Sequence, residues 1–169
     1  SGADLDIQHT CDAVRSLRSR ITSHTDWDQL RGLEGTAQRH LFAYWRSQLP
    51  DTLQFTHRQR RPPPDPVNAI LSLSYTLVYH EAIRQCLLRG LDPWLGFYHR
   101  HAHGRQSLAC DLMEPIRPNV ERWVVGLFQQ QILTRREFGY QNGSCMLGKQ
   151  GRSTYYQHWY QQVPIWAHQ

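Results

Sequence analysis

Apolar residues recur every three or four positions over most of this chain, and this spacing predicts amphipathic helices. One apolar stripe lies within residues 7–21, and a second lies within residues 26–48. Gly32 and Gly35 interrupt the second stripe, and each glycine weakens a helix by about 1 kcal/mol relative to alanine. A cost of this size indicates that the two glycines serve packing or function.

The longest and most apolar helix is predicted to follow Asp65. An aspartate directly before a proline, here Pro66, is a favourable N-cap with proline in the first helical turn. The apolar pattern continues to residue 88, and Gly90 comes where a helix-ending glycine is common. We expect this helix at the centre of the core.

The rest of the chain predicts shorter elements. Helical patterns cover residues 108–114, with Ser107 as the N-cap, then residues 119–133 and residues 152–163. The Asn-Gly pair at residues 142–143 favours a tight turn and a small hairpin. The predicted fold class is therefore all-α: a compact multi-helix domain with at most one short hairpin.

Length and composition indicate one globular domain. The 169 residues are enough for a single core, and they contain no apolar run of the roughly 18 residues that a membrane span needs. No secretory signal is visible, so we expect a cytoplasmic protein, and the four cysteines, which form no C-x-x-C pair, are expected to be reduced. We interpret residues 1–3 as a cloning scar and residues 4–169 as one helical domain of a longer protein.

The charge of the chain is positive and is carried almost entirely by arginine. The 19 basic and 14 acidic residues leave a net charge of +5, and Lys149 is the one lysine. A guanidinium group binds phosphate with two donors and stacks on bases, so this bias favours a nucleic-acid partner, although a high genomic GC content has the same effect. Basic residues cluster within residues 57–61 and again at positions 135, 136, 149 and 152. Several aromatic residues suit either stacking on unpaired bases or packing in the core: Trp94, Tyr98, Tyr155, Tyr156 and Trp159.

The stretch GFYHRHAHGRQSLACDLMEP, at residues 96–115, concentrates candidate metal ligands. His99, His101 and His103 alternate along the chain, and on a strand they would place three imidazoles together, as in a zinc or copper site. Gly104 and Arg105 follow directly and favour a solvated loop. In such a loop either none of the three histidines is functional or one of them is.

Asp111 and Glu114 are three residues apart, so a helix would project both carboxylates from one face. Like charges this close repel and raise a pKa unless another charge compensates them. Two compensations are common, a neighbouring arginine such as Arg105 or Arg117, and a divalent cation. Glu34, between its two glycines, is likewise either exposed, paired with an arginine, or open to the approach of a metal.

Three longer motifs carry a resemblance to a known family. They are LRGLEGTAQRHLFAYW, FTHRQRRPPPDPVNAILSLSYTLVYHEAI and GLDPWLGFYHRHAHGRQSLACDLMEPIRP, in this order along the chain. Together they resemble the catalytic domain of the CRISPR-associated spacer-acquisition integrases and endonucleases, the first-numbered Cas proteins. The similarity extends from about residue 10 to residue 160. It implies a helical catalytic domain without the N-terminal β-rich domain that family members carry.

The resemblance also implies a metal site. The family's ligands match Glu34, His99, Asp111 and Glu114, and the last of these stands where many relatives have a second aspartate. The two other histidines of the stretch match no ligand. The implied ion is Mg²⁺ or Mn²⁺, because these ions suit hard carboxylate oxygens with one imidazole and keep positions open for water and phosphate.

By resemblance, the reaction is phosphodiester transesterification or cleavage of DNA during the acquisition of new CRISPR spacers in a prokaryote. Arg58, Arg60 and Arg61 are expected to contact double-stranded and branched DNA, namely the CRISPR repeat and the captured fragment. Asn68 and Tyr75 are expected to line the site.

The resemblance implies further partners and leaves two other interpretations open. The second-numbered Cas protein is the implied partner, the full-length protein is expected to be a homodimer, and the fragment is expected to be a monomer of weak activity. One alternative is a non-catalytic DNA-binding or scaffold domain of the same complex. The other is a zinc-bound structural domain that uses the histidines.

Overall fold

The computed structural model describes residues 2–99 and 104–167, and the side chains of residues 7–99 and 104–166. These residues form six α-helices and one two-stranded hairpin, which confirms the all-α class. The chain divides into two compact units, Ser1–Gln59 and Arg60–Gln169. The helices are α1 (Gly2–Ser19), α2 (Trp27–Gln48), α3 (Pro66–Leu88), α4 (Ser107–Met113), α5 (Arg117–Gln129) and α6 (Lys149–Ala167), and the strands are β1 (Phe138–Gln141) and β2 (Ser144–Leu147).

The two longest helices begin at strong capping residues. Asp26 caps α2, because its side chain accepts a hydrogen bond from the backbone N–H of Gln29 at 2.8 Å, and the Gln29 side chain accepts from the Asp26 backbone. Asp65 caps α3 by accepting from the backbone N–H of Asn68 at 2.8 Å. The N-cap predicted at Asp65, with proline next to it, is confirmed.

Other helix ends differ from the prediction by a few residues. Gln106 is the N-cap of α4, so Ser107, the predicted cap, is the first residue of the helix. Helix α5 begins at Arg117, two residues before the predicted start. Pro118 therefore lies in its first turn, where a proline is tolerated because the backbone N–H groups of that turn have no partner within the helix. Helix α6 extends beyond the predicted segment at both ends and includes Pro164 near its C-terminus.

The first unit has a small core. Helix α1 packs against α2, and the aromatic rings of Phe42, Trp45 and Phe55 form edge-to-face contacts, with Phe42 5.4 Å from Trp45 and 6.1 Å from Phe55 between ring centroids. All three residues are buried. Large apolar residues elsewhere in this unit, such as Trp27 at 51%, stay partly exposed.

The second unit is built around α3, as predicted. This helix contacts α4, α5 and β2, and Val67, Ile70 and Leu71 in its first turns are 0% exposed. An aromatic cluster joins α5 to α6, because the ring of Trp123 lies 5.6 to 5.7 Å from the rings of Tyr155, Trp159 and Trp166. Tyr155 and Trp159 are therefore core residues and are not available for base stacking.

The predicted hairpin is present. Strands β1 and β2 are antiparallel, with Phe138 opposite Leu147 and Gln141 opposite Ser144. The turn residues have the positive φ values of a tight hairpin turn, 50° at Asn142 and 76° at Gly143, which asparagine and glycine adopt at low cost.

Two further expectations concern the state of the cysteines and the lack of a membrane-spanning helix. Cys11, Cys86, Cys110 and Cys145 are free thiols, and Cys86 and Cys145 are buried. No helix among the described residues combines the length and the apolar content needed to cross a bilayer.

The hydrogen bond between Ser74 and Tyr155 joins α3 to α6, with 2.8 Å between two buried hydroxyl oxygens. Tyr155→Phe removes one partner and leaves the serine hydroxyl buried, so we expect the free energy of unfolding to fall by about 1–2 kcal/mol. Urea unfolding followed by tryptophan fluorescence measures the change. Tyr160→Phe is the matched control, since Tyr160 is 72% exposed, and it should stay within about 0.5 kcal/mol of the wild type. Equal stability of the two variants would show that the buried bond contributes nothing.

Candidate metal centre

The carboxylate of Asp111 organises the segment that leads into α4. Its side chain is buried, with 0% exposure. Oδ2 accepts hydrogen bonds from the backbone N–H groups of Phe97 and Tyr98, at 2.6 and 3.0 Å. Oδ1 accepts from the backbone N–H of His99 at 2.9 Å and is 2.6 Å from Nδ1 of the same residue. One carboxylate therefore holds three consecutive backbone groups and one imidazole.

Gly96 allows this segment to lie directly against α4. A Cβ atom added at Gly96 would be 2.6 Å from the Cβ of Ser107 and 2.8 Å from Oδ2 of Asp111. Since real Cβ atoms do not come this close to other heavy atoms, any side chain at this position would push the segment away from the helix. The absence of a side chain at Gly96 is what lets the following N–H groups reach the carboxylate.

These hydrogen bonds keep Asp111 ionised. Burial alone would raise the pKa of this carboxyl, but the bonds from the Tyr98 backbone, the His99 side chain and the neighbouring backbone groups outweigh it and lower the pKa below the ordinary value. An ionised carboxylate only accepts hydrogen bonds, so Nδ1 of His99 carries the proton. Nε2 is the ring nitrogen that lies outside this hydrogen bond, and it is the nitrogen that can bind a metal.

Nε2 of His99 faces the second acid of the predicted pair. It is 3.9 Å from Oε1 of Glu114, and the two side chains are 21% and 27% exposed. Two ligands at about 2.1 Å from one cation are at most about 4.2 Å apart, so these atoms fit the span of a single ion. Asp111 and Glu114 thus differ in what they can do, because Asp111 is buried and bonded within the protein whereas Glu114 is accessible.

Arg117 compensates the charge of Glu114. Its Nη1 is 3.1 and 2.9 Å from the two carboxylate oxygens, its guanidinium lies 5.3 Å from the ring centroid of Tyr75, and the Tyr75 hydroxyl donates to the buried Glu121. Burial disfavours the charged guanidinium, but Tyr75 and Glu114 outweigh burial and raise the pKa of Arg117. The arginine compensation left open by the sequence is therefore present, and it also holds the Glu114 carboxylate in place.

The second unit contains two side chains, His99 and Glu114, that could contribute to a metal site. An imidazole nitrogen beside a carboxylate oxygen suits Mg²⁺ or Mn²⁺, and the buried aspartate behind the imidazole is the arrangement that commonly orients a metal-binding histidine. Over residues 2–99 and 104–167, however, no group of three or more His, Cys, Asp and Glu side chains is arranged to hold a metal ion. A hard cation at this position requires at least one more protein ligand.

Glu34, the remaining predicted ligand, lies on α2 in the first unit and is half-buried. A Cβ atom added at Gly32 or Gly35 would meet no described atom within 4 Å, so the two glycines do not serve close helix packing. They leave the helix surface beside Glu34 uncrowded. The participation of Glu34 in the metal site stays a prediction.

The predicted DNA-contacting arginines fall in both units. Arg60 and Arg61 are exposed and directly precede the proline segment at residues 62–64. Arg58 belongs to the first unit and is half-buried, and its Nη1 donates to the backbone carbonyl of Gln59 at 2.8 Å. The exposure of Arg60 and Arg61 is what contact with a phosphate backbone requires.

The two predicted lining residues have other visible roles. Asn68 is 0% exposed, and its Nδ2 donates to Oδ2 of Asp65 at 2.6 Å, so it stabilises the N-terminus of α3. Tyr75 supports Arg117 and through it Glu114. Their function as lining residues stays a prediction.

Two of the predicted histidines lie outside the described residues, and two residues near His99 and Glu114 were not predicted. His101 and His103 lie outside the described residues, so the zinc interpretation is not tested by them. Gly96 and Glu121 were not predicted. Gly96 could have been found from the sequence, because it is the first residue of the stretch that contains the histidines. Glu121 could not, because it contacts Tyr75 from another helix and its neighbours along the chain give no indication of this.

Comparison with known proteins identifies the family. A sequence profile of the family described as CRISPR associated protein Cas1 matches residues 2–161. A CRISPR-associated endonuclease Cas1 from Thermodesulfovibrio yellowstonii is 46% identical over 145 residues, which cover 82% of this chain and 46% of that protein. Another from Methanospirillum hungatei is 39% identical over 126 residues, covering 74% of this chain and 36% of that protein. This chain thus spans about half the length of these relatives, or less.

Solved structures agree with the sequence comparison. A Cas1 protein from Thermotoga maritima aligns with a TM-score of 0.80 at 25% identity, over 89% of this chain and 49% of that one. A chain of a partial Cas6-RT-Cas1–Cas2 complex aligns with a TM-score of 0.81 at 32% identity, over 88% of this chain and 46% of that one. With a profile match over nearly the whole sequence, this chain belongs to the Cas1 family of CRISPR-associated proteins.

Proposed function

We propose that this chain is the catalytic domain of a CRISPR-associated, metal-dependent DNA integrase and endonuclease that acquires new spacers. The observation that carries the proposal is the arrangement of His99 between a buried carboxylate and an accessible one, in a chain of the Cas1 family. The relatives named above are described as CRISPR-associated endonucleases, which supports nuclease activity; DNA as the substrate is part of the proposal.

The proposed cofactor is Mg²⁺ or Mn²⁺, bound by Nε2 of His99, by Glu114 and by Glu34. Asp111 was predicted as a fourth ligand. Both of its oxygens accept hydrogen bonds from residues 97–99. We therefore propose that Asp111 orients the imidazole of His99 and does not itself bind the cation. When bound, the cation would polarise the scissile phosphate and stabilise the negative charge that develops on it.

The residues of the chain have separate tasks in the proposed reaction. Asp111 binds Nδ1 of His99 and thereby directs Nε2 toward the position of the cation. Arg117 offsets the charge of Glu114 and restricts the motion of its carboxylate, and Tyr75 keeps Arg117 in place. In integration, a 3′-hydroxyl of the captured DNA forms a new P–O bond at the repeat boundary while the old P–O bond breaks. Water in place of that hydroxyl gives cleavage.

The proposed partners are DNA and the second-numbered Cas protein. Exposed Arg60 and Arg61, together with Arg58, are proposed to bind the phosphate backbone of the CRISPR repeat and of the captured fragment. Two aligned structures are described as complexes of a Cas6-RT-Cas1 protein with Cas2, which supports Cas2 as the protein partner. A homodimer of the full-length protein, a monomeric fragment and a prokaryotic cytoplasmic location are part of the same proposal.

A second candidate is a DNA-binding or scaffold domain of the same complex that performs no chemistry. It is favoured by the finding that residues 2–99 and 104–167 contain no group of three metal-binding side chains. Metal affinity separates the two candidates, because only the catalytic one needs the cation.

Calorimetric titration with Mn²⁺ tests the proposed ligands in the 169-residue chain. We expect His99→Ala, Glu114→Gln and Glu34→Gln each to reduce the affinity for Mn²⁺ by at least about tenfold, because each removes a direct ligand of a hard cation. His158→Ala and Asp28→Asn are matched controls, since His158 bonds a backbone carbonyl of α6 and Asp28 is an exposed acid on the same helix as Glu34. Wild-type affinity in the Glu34→Gln variant would remove Glu34 from the site.

Asp111→Asn tests orientation against direct ligation. We expect the affinity for Mn²⁺ to fall about 10- to 100-fold, as for other residues that orient a metal-binding histidine. In the metal-free protein, ¹⁵N chemical shifts of the His99 imidazole should show the proton leaving Nδ1 in this variant and remaining there in Glu114→Gln. A direct ligand with no orienting role would lower the affinity without moving the proton.

The salt dependence of DNA binding tests the proposed arginines. We expect the affinity for a duplex to fall steeply with salt, and Arg60→Ala with Arg61→Ala to reduce the logarithmic slope by about 0.9 for each phosphate that is no longer neutralised. The control removes equal charge from α1 through Arg15→Ala with Arg18→Ala. Fluorescence anisotropy over a range of salt concentrations gives both slopes. Equal slopes for the two double variants would show that the arginines act only through net charge.

A further inference from the structure

The β-hairpin of the second unit holds a tyrosine ring in an unusual position. Tyr140 lies in β1 opposite the buried Cys145, yet 50% of it is exposed. Paired residues of an antiparallel ladder share one face of the sheet, so Tyr140 lies on the inward face at the end nearest the turn. Its ring reaches past the edge of the core.

The ring of Tyr140 is held at two points. Its hydroxyl donates to the backbone carbonyl of Pro64 at 3.1 Å. The guanidinium of Arg135 lies 4.9 Å from the ring centroid, and this guanidinium in turn donates from Nη1 to the carbonyl of Phe138 at 2.9 Å. A ring fixed in this way loses little conformational entropy when a ligand stacks on it.

The hairpin itself is tied to its surroundings, which a lone two-stranded ribbon needs for stability. The backbone N–H of Cys145 donates to the carbonyl of Pro63 at 2.8 Å. The hairpin and the proline segment are thus neighbours, and the position of Tyr140 relative to this segment is set by the backbone.

Besides Arg135, exposed arginines occur in the two segments that adjoin Tyr140 along the chain or through its hydrogen bond to Pro64. Arg136 is exposed on the hairpin side, and Arg60 and Arg61 are exposed at the start of the proline segment. The two acids nearby are already bonded, since Glu137 accepts from the backbone and hydroxyl of Thr134 and Asp65 caps α3 at 2% exposure. A half-exposed aromatic ring in contact with a guanidinium, in segments that carry further exposed arginines, is a combination typical of surfaces that bind single-stranded nucleic acid.

We propose that Tyr140, backed by Arg135, stacks on an unpaired nucleobase, with Arg60, Arg61 and Arg136 binding the flanking phosphates. The ligand is a single-stranded or splayed end of DNA, and the inference rests on the proposed function in taking DNA as the substrate. Arg135 contributes a cation–π contact to the ring and a positive charge close to the base. The hairpin holds the frayed end of a strand beside the duplex that the rest of the surface binds.

Tyr160 shows what distinguishes Tyr140 from an ordinary exposed tyrosine. Tyr160 lies on α6, is 72% exposed, and has its ring 6.3 Å from the ring of Tyr156. Tyr140, in contrast, combines exposure with a guanidinium on the ring and a bonded hydroxyl. Tyr160 is therefore a suitable control for the loss of an exposed tyrosine.

Fluorescence anisotropy with two DNA probes tests the proposal in the 169-residue chain. One probe is a blunt duplex, and the other is the same duplex with a 3′ overhang of about five nucleotides, within the length that a stacking site covers. We expect Tyr140→Ala to weaken binding of the overhang probe about tenfold, the usual effect of losing one stacked base. Binding of the blunt probe should change by less than about twofold, as should both affinities in Tyr160→Ala.

Two further measurements separate stacking from a structural effect. Tyr140→Phe keeps the ring and loses the bond to Pro64, so the preference for the overhang should remain. A 2-aminopurine base in the overhang should be quenched by the wild type and by Tyr140→Phe, and should stay bright with Tyr140→Ala. If the wild type binds DNA while Tyr140→Ala binds both probes as the wild type does, or loses both equally, the stacking proposal is wrong and the proposed function stands. If the wild type binds neither probe, both are wrong.

Discussion

The interaction on which the candidate site depends is the burial of the Asp111 carboxylate. A buried carboxylate is costly unless hydrogen bonds satisfy it, and here three backbone N–H groups and one imidazole do so. This requirement determines the path of residues 96–99, because the chain has to turn its N–H groups toward the helix. The same requirement selects glycine at position 96, where a side chain would strike Ser107 and the carboxylate itself.

The imidazole of His99 inherits its properties from this carboxylate. With Nδ1 bonded to Asp111, the ring presents Nε2 toward Glu114 in a defined orientation. Glu114 is in turn held by Arg117, whose position depends on Tyr75 and thus on α3. Side chains of α5 and α3 thus support the Glu114 carboxylate through one chain of contacts. Contacts that already position both groups lower the ordering cost of binding a ligand.

Some residues of the site were predictable because their role is local in sequence. The spacing of Asp111 and Glu114 placed them on one helical face, and Asp65 before Pro66 predicted the N-terminus of α3, which is confirmed. The identification of His99 among three alternating histidines came only from the family resemblance. The function of Glu121 could not be read from its neighbours, because it acts on the hydroxyl of Tyr75, which another helix supplies. The sequence left open whether Tyr155 and Trp159 stack on bases or pack in the core. The contacts of both rings with Trp123 of α5 make them core residues.

By itself, the sequence determined the helical class, the ends of α2 and α3, the hairpin turn and the family, since these depend on periodicity, capping residues and motifs that are contiguous in the chain. Only the tertiary structure decided that Asp111 and Glu114, one helical turn apart, have different environments. Helical spacing states which residues share a face but not what packs against that face. Residues 96–99 pack against Asp111 and bury it, and they leave Glu114 accessible. That difference in burial separates the carboxylate that positions the histidine from the one that can bind a cation.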